Sequence, residues 1–167
     1  MKGKNLLYCS FLLLISLVNA KGQENIPIIN QQIVGYTEKV IGKSIGRGEC
    51  WDLADYVLTA TDAEFDKSSN KTLYIFGELY DPDQESILPG DIIQFQDVEV
   101  TEKEGNIIYT SNYKHHTAIV YQVLNKKRIK LAHQNTSFSA RTVGVNVLNL
   151  EDVSKGRMFF YHPIPKQ

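Results

Sequence analysis

The stretch GRGECWDLADYVLTAT, residues 46–61, decides the fold of this chain. Two glycines mark a turn at its start, and apolar or small side chains then recur at helical spacing. This stripe consists of Cys50, Ala54, Val57 and Thr61. The spacing predicts a helix that carries Cys50 in its first turn, on the face that the helix buries. A looser helical pattern, interrupted by glycines, precedes it at residues 31–45.

After residue 91 the pattern changes from helical spacing to period-two alternation, which is typical of strands. A Pro-Gly-Asp turn at 89–91 leads into a first strand at 92–95. Further strands are predicted at 98–101, 106–110, 116–124, 128–135, 142–147 and 158–161. Helices followed by antiparallel strands predict an α+β fold, with the N-terminal helices packed on a curled antiparallel sheet.

The first twenty residues have the layout of a secretory signal peptide. Lys2 and Lys4 precede the apolar run 11–18, and the segment ends in small residues at Ala20. The alternative, a retained anchor, is less favoured because the run is short for a bilayer span. The sequence therefore predicts a signal peptide at 1–20, a single domain at 21–167, and export to the periplasm or the cell exterior.

Charge and composition narrow the classes of partner. The whole chain has a formal net charge of −1, and loss of two lysines and no acidic residue with the leader takes it to −3. A weakly acidic domain gives no electrostatic reason to bind nucleic acid or anionic lipid. We expect no nucleic-acid partner, no membrane partner after cleavage, no cofactor, and a monomer.

The chain has two cysteines, and signal cleavage would remove Cys9 and leave Cys50 alone. A single cysteine in an exported protein indicates a reactive thiol or an intermolecular bridge. The alternative is a buried and inert cysteine that packs as a small apolar residue.

Face parity in the predicted sheet brings polar side chains together. If the hairpin turns at residues 125–126, paired residue numbers sum to 251, so His116 faces Asn135 and His133 lies one diagonal step away. If the helix of Cys50 packs on that sheet face, its thiol meets His116, and His133 or Asn135 can orient the imidazole. The helix start would also favour the thiolate and offer an N–H to an oxyanion.

Four motifs follow one another in the order GRGECWDLA (46–54), PGDIIQF (89–95), HTAIV (116–120) and HQN (133–135). In this order they resemble the CHAP and NlpC-type cysteine amidases. The resemblance implies a papain-like fold in which Cys50 is the nucleophile, His116 the general base and His133 the orienting residue. His133 with Asn135 looks like a blend of the last motifs of the two families. The implied function is a secreted cysteine hydrolase that cleaves an amide or peptide bond through a thioester, with cell-wall peptidoglycan as a candidate substrate.

Three alternatives remain open at this point. The fold could serve as a secreted binding or inhibitor module with an inactive site. The same Cys–His pair could transfer the acyl group to an amine or alcohol instead of water. One cysteine and two histidines could also hold zinc, although the sequence has no closely spaced ligand pair.

Overall fold

The computed structural model describes residues 25–66 and 75–167. The helices are α1 (Ile28–Glu38) and α2 (Cys50–Ala60), and the strands are β1 (Glu78–Tyr80), β2 (Ile92–Glu104), β3 (Ile107–Asn125), β4 (Arg128–His133), β5 (Gly144–Asn149) and β6 (Val153–His162). All strand pairs are antiparallel, in the order β1-β6-β2-β3-β4-β5. Two N-terminal helices on a six-stranded antiparallel sheet confirm the predicted α+β class.

The predicted signal peptide lies outside the described residues. Of the helices that the structure describes, none is long and apolar enough to cross a membrane.

Local sequence signals set the start of α2. Glu49 is the extended N-cap residue, and it forms a capping box with Asp52 in which each side chain accepts from the other residue's backbone N–H. The helix therefore begins at Cys50, as predicted. The first helix differs from its prediction because it starts at Ile28, after Pro27, and ends at Glu38. Gly42 then takes a φ of +79°, which ends the helical path before residue 45.

The helices cover one face of the sheet, and it is not the face that carries His116. The apolar stripe of α2 clusters with Ile92, Ile119 and Ala132. Ala118 and Val120, which share the parity of His116, belong to a second cluster on the other face. The expectation that α2 lies on the face of His116 is therefore wrong. Alternation could not decide this point because β3 is apolar on both faces.

β2, β3 and β6 are longer than predicted, β4 is two residues shorter and β5 is shifted by two residues, and the hairpin of β3 and β4 is irregular. The predicted strands at 92–95 and 98–101 form one strand, β2, and those at 106–110 and 116–124 form β3. At the hairpin tip Asn125 pairs with Arg128, whereas beside the site Ile119 pairs with Ala132. Two register shifts separate these pairs, and at each β3 holds one residue more than β4.

A buried carboxylate fixes the start of β2. Asp91, in the Pro-Gly-Asp turn, is fully buried and accepts four hydrogen bonds. Their donors are Asn30 Nδ2 at 2.9 Å, the Tyr80 hydroxyl at 2.7 Å, the Leu88 N–H at 2.7 Å and His162 Nδ1 at 3.0 Å. One side chain thus joins α1, β1, the turn and β6. The hydrogen bond to Asp91 also raises the pKa of His162.

Candidate active site

Cys50 is the first residue of α2, and its thiol lies against the backbone of β3. The Sγ–H donates to the carbonyl of His115 at 3.9 Å, and the N–H of Thr117 points to the same sulfur. These two backbone groups flank His116 in the chain. The side chain of Cys50 is thereby held next to the residue that the sequence predicts as its base, although the sulfur's hydrogen bond goes to the backbone rather than to the imidazole.

His116 and His133 form a buried pair. Their side chains come from neighbouring strands, and residue exposures are 4% for His116 and 1% for His133. His116 Nε2 lies 2.8 Å from His133 Nδ1, within hydrogen-bond distance, as the diagonal relation predicts. Burial lowers the pKa of His116 to about 3, with a smaller contribution from His133. Burial also lowers the pKa of His133 to about 4, so both rings are uncharged at neutral pH.

A third polar side chain extends this pair, and sequence reasoning missed it. His133 Nε2 lies 2.9 Å from the Oδ1 of Asn146, on β5. Asn146 pairs with Leu131, so it stands on the sheet face of His133, one diagonal step away. Finding Asn146 from the sequence would require the register between β4 and β5, and no short turn joins these strands to set it.

The structure does not bring Asn135 to the imidazole of His116. β4 ends at His133, and Asn135 has a φ of +61°, so strand alternation no longer sets its direction. Its Nδ2 donates instead to the Glu49 carboxylate at 2.9 Å. Asn135 therefore braces the N-cap residue of α2, and it is His133 that contacts the imidazole of His116.

Gln134 holds the loop that precedes Cys50. Its side chain is fully buried and makes three hydrogen bonds. Its Oε1 accepts from the Ile45 N–H at 3.2 Å, and its Nε2 donates to the carbonyls of Ile45 at 2.9 Å and Glu49 at 2.7 Å. The middle residue of the HQN motif thus positions the turn that leads into Cys50.

Gln134→Leu should lower the free energy of unfolding by about 2–4 kcal/mol. The substitution leaves the part-buried N–H of Ile45 without its acceptor, at a cost of about 1–3 kcal/mol. It also removes one of the hydrogen bonds that each carbonyl of Ile45 and Glu49 accepts, at about 0.5–1.5 kcal/mol each, although both carbonyls keep a backbone donor. Urea denaturation measures the effect, and Gln122→Leu, at an exposed position of β3, is the matched control. A loss no larger than that of the control would show that the three bonds do not hold the loop.

The electrostatics of the thiol differ from the expectation. Burial raises the pKa of Cys50, and the backbone N–H groups of Thr117 and Trp51 only partly counter this. The nearby charge of Glu49 adds to the rise. The favourable effect of a helix start, about 0.3–1 kcal/mol, is smaller than the cost of desolvating a thiolate. At rest the thiol and both imidazoles are therefore neutral.

Aromatic rings enclose the two histidines. The ring centroid of Tyr113 lies 4.9 Å from that of His116, and Phe138 lies 5.4 Å from His133. Strict alternation along β3 would place Tyr113 on the sheet face opposite to His116. The positive φ of Asp97 interrupts β2, and the pair that follows it, Val98 and Tyr113, faces the histidines. A cavity of about 270 Å³ opens beside these rings. A second cleft of about 300 Å³ runs past His116.

A metal centre finds no support in the geometry of the described ranges. Between residues 25–66 and 75–167, no group of three or more His, Cys, Asp or Glu side chains could hold a metal ion.

Comparison with known proteins supplies the family. The model of the AIM3/BBC1 cysteine proteinase-fold domain matches residues 27–167. Altered inheritance of mitochondria protein 3 of Debaryomyces hansenii is 24% identical over 151 residues, which cover 81% of this chain and 16% of that protein. A solved structure, "The crystal structure of Ly7917", is 16% identical to this chain. The match covers 79% of this chain and 62% of that one, with a TM-score of 0.49. Because the family model spans most of its length, the chain belongs to the AIM3/BBC1 cysteine proteinase-fold domain family.

Proposed function

We propose that this chain is a cysteine hydrolase that cleaves an amide or peptide bond through a thioester. In this proposal Cys50 is the nucleophile, His116 the general base and His133 the residue that orients it. The observation that carries the proposal is the buried 2.8 Å contact between the two imidazoles, together with a thiol at a helix start that contacts the backbone on either side of His116. Such an arrangement of nucleophile, base and orienting group is what covalent catalysis requires.

The neutral resting state sets the order of proton transfers. The thiol proton moves to His116 as the sulfur of Cys50 attacks the carbonyl carbon, and the oxyanion that forms faces the N-terminal end of α2. His116 then gives that proton to the amine as the C–N bond breaks, which leaves a thioester. Water attacks the thioester, His116 takes its proton, and transfer of this proton to the departing sulfur restores the thiol and releases a carboxylic acid.

The resemblance to the CHAP and NlpC-type amidases supports peptide crosslinks as the substrate class, with cell-wall peptide as a candidate. It also fits an enzyme that acts as a monomer outside the cytoplasm after removal of residues 1–20. The match to Altered inheritance of mitochondria protein 3 covers 16% of that protein, so it bears on the domain alone.

A second candidate function is a binding module on the same fold. The raised pKa of Cys50 and the lowered pKa values of both histidines favour it, since neither group is charged for catalysis at rest. In this case the cleft past His116 would hold a peptide without cleaving it.

Cys50→Ala should abolish hydrolysis, with a loss of at least about 10³-fold, because the residue supplies the bond that forms in the intermediate. The measurement uses a panel of fluorogenic peptide amides and crosslinked wall peptides, with the Cys9→Ser protein as reference so that Cys50 is its single thiol.

Each outcome of this experiment decides between the candidates. Equal hydrolysis by the Cys50→Ala protein would contradict the proposal. Turnover that appears only with an added amine or alcohol would identify an acyltransferase. A protein that binds the peptides but leaves them intact in both forms would be the binding module.

A further inference from the structure

We propose that Asn146 is a positioning residue that fixes the tautomers of both histidines and thereby leaves Nδ1 of His116 free to accept a proton. The catalytic consequence rests on the proposed function, whereas the tautomers are a property of the protein at rest.

The two hydrogen bonds that join the three side chains assign the proton on each ring. The Oδ1 of Asn146 can only accept, so its 2.9 Å contact requires a proton on Nε2 of His133. A neutral imidazole has one N–H, so Nδ1 of His133 carries a lone pair. The 2.8 Å contact then requires a proton on Nε2 of His116. The remaining nitrogen, Nδ1 of His116, therefore holds a lone pair.

Without the acceptor the same pair could be protonated in the reverse sense. His133 would then donate from Nδ1 to Nε2 of His116, and His116 would carry its proton on Nδ1. That tautomer has no lone pair left for the thiol, so it cannot act as a base toward Cys50. The two states keep the same heavy-atom distances, and only the acceptor at Asn146 distinguishes them.

The type of side chain is also suited to this role. An amide accepts a hydrogen bond without bringing charge into a site where both rings are neutral. An aspartate at position 146 would still accept from His133 but would favour the charged imidazolium. The rings of Phe138 and Tyr113, centred 5.4 Å and 6.3 Å from that of His133, pack against the imidazole.

Nitrogen-15 NMR of histidine-labelled protein tests the assignment directly, because it reports which ring nitrogen carries the proton. For the wild-type protein we expect N–H at Nε2 in both His116 and His133. Asn146→Leu should move a measurable part of both rings to the Nδ1–H form. Asn146→Asp, whose carboxylate also only accepts, should keep a proton on Nε2 of His133, and Gln122→Leu should match the wild type.

A kinetic measurement links the tautomers to the thiol. Alkylation of Cys50 by iodoacetamide at pH 7 should slow by about 10-fold in Asn146→Leu, because a general base contributes about 10²–10⁴-fold in rate. Asn146→Asp still accepts from His133 but favours the imidazolium, so it should recover only part of that rate. A merely structural defect would not explain this partial recovery.

Two results would overturn the assignment. One is a wild-type spectrum with the proton of His133 on Nδ1, which needs no variant and so holds even if Asn146→Leu fails to fold. The other is a folded Asn146→Leu protein with wild-type tautomers. If the tautomers are as expected but Cys50→Ala hydrolyses as the wild type does, the proposed function fails while the role of Asn146 at rest stands.

Discussion

Replacing His116 by alanine should slow the alkylation of Cys50 by iodoacetamide at pH 7 by about 10²-fold or more. Burial raises the pKa of this thiol, so at pH 7 it is less ionised than a free cysteine, and its reactivity depends on a base that removes the proton. In the variant the rate should keep increasing as the pH rises past the ordinary thiol range, because only hydroxide then forms the thiolate. Mass spectrometry of the Cys9→Ser protein over a pH series measures both effects.

His115→Ala is the matched control for this prediction. Its side chain is exposed, on the strand position next to His116, and the substitution keeps the carbonyl that accepts from the thiol. We expect a change of no more than about twofold, as for most exposed substitutions. Equal rates for the wild type and His116→Ala would remove the base from the proposed mechanism.

Asp91→Ala should lower the free energy of unfolding by about 3–5 kcal/mol. The carboxylate is fully buried, and its loss leaves the Tyr80 hydroxyl and the Leu88 N–H without this acceptor. It also removes the hydrogen bonds from His162 and Asn30, although Asn30 Nδ2 keeps the carbonyl of Pro89. An unpaired buried donor costs about 1–3 kcal/mol, and partial relaxation keeps the total below the sum. Urea denaturation measures the loss at pH 7.

Asp83→Ala, in the exposed turn after β1, is the matched control and should change the stability by less than about 0.5 kcal/mol. If Asp91→Ala cost as little as the control, the four hydrogen bonds would not be what fixes the start of β2.

Short-range signals explain what could be predicted from the sequence. The start of α2 at Cys50 depends on the glycine turn and on the residue pair Glu49 and Asp52. All of these residues lie within positions 46–52. The pairing of His116 with His133 depends on alternation along two adjacent strands joined by a short turn. In both cases the information lies near the residues concerned.

The predicted register of β3 and β4 is confirmed beside the site, but the position of the turn is not what sets it. The prediction places the turn at residues 125–126, whereas Asn125 pairs with Arg128 across a turn at 126–127. Pair numbers sum to 253 at the tip and to 251 at Ile119 and Ala132, because the two bulges remove the difference. Bulges depend on how a strand twists against its neighbours, so alternation alone does not locate them.

Long-range packing explains what could not be predicted. The face that α2 covers depends on a choice between two apolar faces of β3, and the contact of Asn146 depends on the register of β5. The side chain of Asn135 does not lie on the predicted face, because β4 ends at His133 and Asn135 itself has a positive φ. Each of these features is set by residues distant in sequence.

The two bulges of β3 also decide where the chain of a relative can change in length. Each bulge holds one residue beyond what β4 requires, so a deletion there closes the bulge and leaves Ile119 opposite Ala132. A deletion between Ile119 and His116 would instead turn the imidazole to the face that the helices cover. We therefore expect the loss of a residue from β3 to be compatible with the site on the tip side of Val120 and incompatible with it on the other side.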